Sequence, residues 1–308
     1  LGCRCDLREQ LEQKRTVFSF EFFPPRSPEA ADALVRSAGE LEELKPTFVS
    51  VTYGSGGGTR ELTHDVVLRL QTQTSLCAVP HLTCLGHSER ELHDILTRYA
   101  LAGSPAIMAL RGDVPRDPPP GFCAESGAFK YATQLVSFIR GFSEQHKLGE
   151  RFLVGVAGYP EGHPGCPNRL REMDYLKAKI DAGADFIVTQ MFFDNRDFFD
   201  FRERCFLAGI RVPIIAGVMP ITSRPTMERM ADLAAGVRFP AALQRGLGRA
   251  RDEDAFRRVG NHWAAEQCRD LLEHGVSGIH FYTLNRSTAT REIFASLGVG
   301  DAGALAMG

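Results

Sequence analysis

Short apolar runs rich in Val, Ile and Phe alternate along the chain with longer segments whose apolar residues recur at helical spacing. The runs at 16–23, 47–53, 76–84, 105–112, 152–159, 186–193, 212–219 and 278–284 predict about eight strands. Helices are expected between them. The first opens at Ser27–Pro28 and runs through EAADALVRSAGELEEL; the others fall near 60–74, 88–102, 128–147, 169–182, 195–208, 224–235, 252–274 and 288–297. A polar residue followed by Pro is a helix-start signal, because Pro lacks an N–H that the first turn would leave unpaired. Strand–helix alternation makes each connection a crossover, and crossovers join parallel strands. An open doubly wound sheet and a closed barrel both satisfy that pattern. Eight units in 308 residues favour the barrel, and no GxGxxG joins a strand to a helix, so the dinucleotide-binding open sheet loses its main sign. The expectation is an α/β, (β/α)8 TIM barrel forming one domain over 1–308, with a short helical extension over about 1–15. PRDPPPG at 115–121 reads as a long loop after the fourth strand.

Composition narrows the partners. Hydrophobic residues at 44% and charged residues at 24% match globular chains, which argues against disorder. A formal net charge of −2 gives no electrostatic case for nucleic acid or a membrane surface. No apolar run reaches the roughly 20 residues of a membrane helix, and LGCRCDLREQLEQKR lacks the apolar core of a signal peptide. The 8 Cys are scattered without a CxxC pair, and Cys3 and Cys5 have no second cluster to complete a metal site. Free thiols in a reducing cytoplasm are therefore expected.

Barrel active sites lie at the C-terminal ends of the strands. The predicted strands end on polar residues there: Glu21, Thr52 and Tyr53, His81 and Thr83, Arg111 and Asp113, Tyr159, Gln190, then Tyr282, Asn285 and Arg286. The seventh ends at Pro220 with no obvious chemistry. Strand alternation puts Val17, Ser19 and Glu21 on one face and Phe18, Phe20 and Phe22 on the other. The Phe face packs under helices, so Glu21 points into the mouth. The same parity groups Phe186, Val188 and Gln190, and also Ile107, Ala109, Arg111 and Asp113; Glu21, Gln190 and Asp113 are expected to converge on one pocket.

Each candidate has a plain alternative. A carboxyl among aromatic rings is poorly solvated, which favours its protonated form and suits a general acid; Glu21 in FEFFPP is either that or a buried partner of a structural Arg or Lys. Asp113 is a clamp on a ligand's ring edge, or a local ion pair or helix cap. Gln190 offers a planar heterocycle both a donor and an acceptor, or is a satisfied core amide. The Gly-rich YGSGGGTRE at 53–61 presents backbone N–H groups to phosphate, or is an ordinary loop. Zinc-ligand spacing and a G-x-S-x-G elbow are both absent from the sequence. The residues describe a barrel with a polar mouth and an acid on its first strand; they name no substrate.

FSFEFFPPR, VSVTYG, PHLTC, ALRGD, GYPEGHP, DAGADFIVTQMFFD and HFYTLNR, in this order from about 16 to about 298, closely resemble the methylenetetrahydrofolate reductase family. The chain stops soon after LNRSTATREIFASLGV, as in the compact bacterial-type catalytic barrel without a regulatory domain. The resemblance implies FAD held non-covalently at the barrel mouth and a ping-pong reaction. NADH or NADPH reduces the flavin and leaves; 5,10-methylenetetrahydrofolate then opens to a 5-iminium cation and accepts hydride, giving 5-methyltetrahydrofolate for methionine synthesis. It implies a cytoplasmic homo-oligomer, a dimer or tetramer, whose partners are small molecules. The competing class is another flavin-dependent barrel oxidoreductase, of the proline dehydrogenase kind.

By position, the resemblance makes Glu21 the proton donor to the departing amine nitrogen. Asp113 becomes a contact of pterin and flavin, whose charge stabilises the cation. Gln190 serves nicotinamide and folate in turn, Thr52 lies near the nicotinamide, and Arg286 and Thr226 bind folate. The FAD positions are Tyr53, Ser55, His81, Arg111, Gly112, Asp113, Tyr131, Ala132, Tyr159, His163 and Lys179, joined by Cys166, Glu172 and Tyr175. Arg111, His163 and Lys179 suit the diphosphate or ribose. The chain departs from the family pattern at Thr226, where Gln is frequent, at Met230, where an aromatic or Leu is frequent, and over FPAALQRGLGRARDED; all lie in the folate-facing region after the seventh strand.

Overall fold

In the computed structural model, which describes residues 7–25, 27–53, 60–114, 127–146, 152–233, 236–283, 285, 288–298 and 301, every predicted apolar run becomes a strand trimmed at its ends. These are β1 (Val17–Phe22), β2 (Phe48–Val51), β3 (Ala78–Thr83), β4 (Ala106–Leu110), β5 (Leu153–Gly158), β6 (Phe186–Thr189), β7 (Ile214–Val218) and β8 (Gly278–Tyr282). They close in chain order into one barrel, with β8 pairing β1 in parallel. The barrel expectation holds.

Helices fill the gaps: α1 (Leu7–Glu12), α2 (Pro28–Glu40), α3 (Arg60–Gln73), α4 (Glu89–Leu101), α5 (Ala132–Gln145), α6 (Arg169–Asp181), α7 (Asn195–Leu207), α8 (Arg224–Leu233), α9 (Ala241–Gly248), α10 (Glu253–Glu273) and α11 (Thr288–Ser296). Their starts follow capping chemistry. Ser27 accepts from the Ala30 N–H ahead of Pro28, Ser88 and Glu91 form a reciprocal box, and Asn168, Asp194 and Asp252 each accept from the first turn of their helix. α9 is an element the sequence pattern did not predict. Its eight residues are bounded by Pro240 and Arg249 rather than by a polar cap, and only Leu243 and Leu247 are buried.

Alternation divides the apolar residues as β1 foretold. Phe18, Phe20 and Phe22 join the shell between barrel and helices, while Val17 faces inward with Phe48, Val79, Met108, Phe186 and Ile215. Burying each Phe contributes about 1.5–3 kcal/mol. Leu7 and Leu11 of α1 belong to the inner cluster beside Val17 and Cys77, residues at strand starts, so α1 covers the N-terminal end of the barrel. Gly155 makes room inside, since a Cβ there would lie 2.3 Å from Met108 Sδ and 2.6 Å from the Phe186 ring.

Two expectations fail. On β4 it is Ala106 and Met108 that face inward, and Ile107 and Ala109 that pack under helices. Parity therefore does not carry Arg111 and Asp113 into the mouth; regular strand ends at Leu110 and the chain turns at Gly112, with φ +85°. Nor are the thiols uniformly free: Cys84, Cys166, Cys205 and Cys268 are, but Cys77 is disulfide-bonded. Cys3, Cys5 and the loop at 115–126 lie outside the described residues. Among the described residues, no helix is long and apolar enough to cross a membrane, and no cluster of His, Cys, Asp and Glu could hold a metal ion.

Candidate active site

The C-terminal half of the barrel interior changes from apolar to polar. Ser19 and Glu21 of β1, Ser50 of β2, His81 of β3 and His280 of β8 are all buried there. Register explains the grouping, because Ser19 pairs His280 and Glu21 pairs Tyr282 across β1–β8, while Glu21 pairs Ser50 across β1–β2. His280 Nδ1 lies 2.7 Å from Ser19 Oγ, which leaves Nε2 facing Glu21 Oε2 at 3.4 Å and Ser50 Oγ at 3.5 Å. His81 Nε2 lies 3.4 Å from the same carboxylate oxygen. The described partners of Glu21 are thus two imidazoles, not the structural Arg or Lys of the alternative. Burial pushes the His81 imidazolium down, Glu21 opposes that, and His280 adds to it. Burial thus favours the uncharged imidazole at His81, beside the Glu21 carboxyl.

Tyr282 roofs this cluster. Its hydroxyl donates to the Thr189 carbonyl at 2.8 Å, crossing β7 where Gly217 leaves space. Burial raises the Tyr282 phenol well above 10, reinforced by Glu21 and then Tyr159. Tyr159 is likewise pushed up to about 12 by burial, then by Asp113 and Glu172. Tyr282 therefore lies in the fields of Glu21 and Tyr159, and Tyr159 in that of Asp113. Asp113 reaches this position by the Gly112 turn rather than by strand alternation. A Cβ on Gly112 would sit 2.8 Å from Thr83 Cβ.

The loop after β5 supplies the next groups. The His163 ring meets the Tyr159 ring edge-on at 4.6 Å, and its Nδ1 accepts from the Gly165 N–H at 2.9 Å, while the His163 backbone N–H donates to Glu172 Oε1 at 3.1 Å. Lys179 of α6 donates to the Ala157 carbonyl at 2.7 Å, and burial pushes its ammonium down to about 8 against the pull of Glu172. Glu172, raised chiefly by burial, keeps Oε2 buried without a hydrogen bond, although Arg169 approaches to 3.8 Å. Arg111 is exposed and donates to the carbonyls of Lys130 and Gly112.

The other expected site residues divide. Thr52 and Tyr53 follow β2 half-buried, and the Tyr53 hydroxyl lies 3.1 Å from His87 Nε2. Gln190 is half-buried; its Oε1 accepts from the Met191 N–H, which leaves Nε2 as its donor. Tyr131 precedes Ala132 at the start of α5 and is 63% exposed; Tyr175, on α6, is 52% exposed. Cys166 is half-buried in the β5–α6 loop. Thr226 shares a hydroxyl hydrogen bond with Ser223 in the first turn of α8. Met230 does not line the mouth: it is fully buried with Met191, Phe193, Met219 and Leu243 beneath α8 and α9. Ser55, Arg286 and most of the Gly-rich loop lie outside the described residues.

The list of polar strand ends does not reach His280; it lies two residues before Tyr282 on the same face of β8.

A profile of the family described as methylenetetrahydrofolate reductase matches residues 6–298. The Escherichia coli 5,10-methylenetetrahydrofolate reductase is 39% identical over 283 residues, covering 91% of this chain and 90% of that protein. The Arabidopsis thaliana methylenetetrahydrofolate reductase (NADH) 1 is 36% identical over 308 residues, covering 96% of this chain, but the chain spans only half of that protein's length. Among solved structures, a Clostridium thermocellum protein described as binding two copies of 5-methyl-5,6,7,8-tetrahydrofolic acid aligns with TM-score 0.63 at 15% identity, covering 94% of this chain and 97% of that one. That likeness shows the fold.

Proposed function

The chain belongs to the methylenetetrahydrofolate reductase family, and from this we propose that it reduces 5,10-methylenetetrahydrofolate to 5-methyltetrahydrofolate with NADH or NADPH, through FAD and in ping-pong order. The observation that carries the reading is the buried Glu21 at the C-terminal end of β1, held between His280 and His81 and facing a mouth flanked by Asp113 and Tyr159. The proline dehydrogenase alternative shares the barrel but not the family match over 6–298.

The residues around the β5 loop fit FAD. His163 and Lys179 are nitrogen donors with lowered affinity for their own protons, which an anionic diphosphate would restore. The buried, hydrogen-bond-free Oε2 of Glu172 suits a ribityl or ribose hydroxyl. Arg111, His163 and Lys179 would hold the diphosphate side, and Tyr53, His81 and Tyr159 the ring side. Bound there, FAD would supply the two-electron relay between nicotinamide and folate.

The chain's own residues do the rest. Glu21 gives its proton to the amine nitrogen that leaves when the folate ring opens. Ser19 fixes the His280 ring from behind, so that Nε2 faces the carboxylate. Asp113 places negative charge beside the cation that ring opening creates. Gln190 Nε2 and Thr52 offer polar contacts to whichever heterocycle occupies the mouth. Arg286 suits a folate carboxylate. A cytoplasmic location and a homo-oligomeric state belong to the same proposal.

The test is anaerobic and spectroscopic. Nicotinamide should bleach the flavin of the purified protein, and methylenetetrahydrofolate should restore it. Glu21→Gln should keep the first step within about twofold and slow the second by about 100-fold or more. Equal losses in both steps would make Glu21 structural.

A further inference from the structure

Strand β1 cannot extend beyond Phe23, because Pro24 and Pro25 bring no N–H to a ladder. Its last backbone groups are nonetheless satisfied from the β8 side by two side chains. Thr283 Oγ1 donates to the Glu21 carbonyl at 2.6 Å, beside a longer bond of 3.4 Å from the Thr283 N–H. Asn285 Oδ1 accepts from the Phe23 N–H at 2.7 Å, and Asn285 Nδ2 donates to the Phe23 carbonyl at 3.2 Å. The Asn285 amide thus stands where the next peptide of a neighbouring strand would be.

The two clamping residues form one unit. The Asn285 N–H donates to Thr283 Oγ1 at 3.2 Å, and Asn285 has φ +60°, a left-handed conformation that Asn tolerates better than most residues. On the opposite side the Thr52 N–H donates to the Phe22 carbonyl at 2.9 Å. Every peptide from Glu21 to Phe23 is therefore held. None of these bonds reaches the Glu21 carboxylate. The contacts made by that carboxylate with His81 and His280 are both 3.4 Å, long for hydrogen bonds. Its aim is set by the backbone from which it projects.

We propose that Asn285, acting with Thr283, is a positioning residue for Glu21: its amide clamps the end of β1 and so points the acid at the substrate. The inference rests on the reading of Glu21 as the proton donor.

Asn285→Gly is the decisive variant, since Gly keeps the left-handed backbone without steric strain and removes both amide bonds. Asn285→Asp retains the acceptor for the Phe23 N–H. Hydrogen exchange of the Phe23 amide, read on the flavin-free protein, should accelerate about tenfold or more in Asn285→Gly and stay near wild type in Asn285→Asp. With flavin bound, reduction by nicotinamide should change less than about twofold, while reoxidation by methylenetetrahydrofolate should slow about 10- to 100-fold in Asn285→Gly and recover largely in Asn285→Asp. Thr283→Val removes the other clamp and should show the same split if Asn285→Gly folds poorly. Reoxidation at the wild-type rate despite faster exchange overturns the proposal, as does a parallel loss in both half-reactions. Glu21→Gln, measured alongside, separates the two readings. If it is slow while Asn285→Gly is not, only the clamp is wrong; if it reoxidises normally, the acid assignment and the clamp's purpose fall together.

Discussion

Gly217 is where the roof over the candidate site is most exposed to a single added methyl. The β6–β7 ladder stops after Val188–Ile215, and beyond it side chains replace backbone pairing: the Gly217 N–H donates to Thr189 Oγ1 at 2.9 Å, and the Tyr282 hydroxyl donates to the Thr189 carbonyl at 2.8 Å. A Cβ on Gly217 would lie 2.3 Å from that carbonyl oxygen and 2.8 Å from Tyr282 Cε2. The carbonyl is backbone and cannot rotate aside, so Gly217→Ala must push β6, β7 or the Tyr282 ring. Overpacking of this kind costs about 1–3 kcal/mol, and a buried carbonyl that loses its donor costs about 1–3 kcal/mol more. Together these are about 2–6 kcal/mol, and at about 2–4 °C of thermal midpoint per kcal/mol a fall of roughly 4–24 °C is expected. Thermal unfolding by circular dichroism reads it. Tyr282→Phe, which removes the hydroxyl and leaves the ring, should show only the smaller hydrogen-bond share. A midpoint for Gly217→Ala within about 1 °C of wild type would refute the close-packed roof.

Two further outcomes follow from other parts of the mouth. Lys179 is pushed by burial from 10.5 down to about 8, so above that pH the flavin-free protein carries it neutral. An adjacent diphosphate would return the proton; FAD binding at about pH 9 should therefore take up protons, and at about pH 7 should take up almost none through Lys179. Calorimetry in two buffers of different ionisation enthalpy reads this, and no uptake at the higher pH would remove Lys179 from the diphosphate site. Gly260 of α10 approaches the Ile221 carbonyl so closely that a Cβ would fall 1.8 Å from its oxygen. Gly260→Ala should shift the emission of Trp263, the chain's single Trp, which lies three residues along the same helix and donates to the Phe193 carbonyl; unchanged emission and midpoint would contradict the packing.

The fold was legible because its signal is repeated. Eight apolar runs with helical segments between them leave few parallel arrangements, and an error in one run does not change the class. The parity of β1 was legible because polar Ser19 and Glu21 alternate with three Phe, so that only one face can be apolar. In β4 both faces are buried and every residue of AIMAL is apolar, so the sequence carries no parity there. Extending parity through Arg111 to Asp113 assumed strand where Gly112 makes a turn. α9 went unseen for a related reason: two buried leucines four apart are too short a period to distinguish from a loop.

The site was legible as a list of strand ends and not as a set of bonds. Polar strand ends identify a mouth, but they cannot say which residues look outward at a ligand and which look back at the frame. Asn285 and His280 show both errors. Asn285 stands at a strand end and reads as pocket chemistry, yet its amide is spent on Phe23; His280 stands mid-strand, where a list of strand ends does not reach, yet it faces Glu21. What decides between them is depth along the barrel axis, fixed by the stagger of β8 against β1, in which Ser19 meets His280 and Glu21 meets Tyr282. That stagger is a property of barrel closure, written in no local segment, and it sets two histidine rings rather than an Arg or Lys against Glu21.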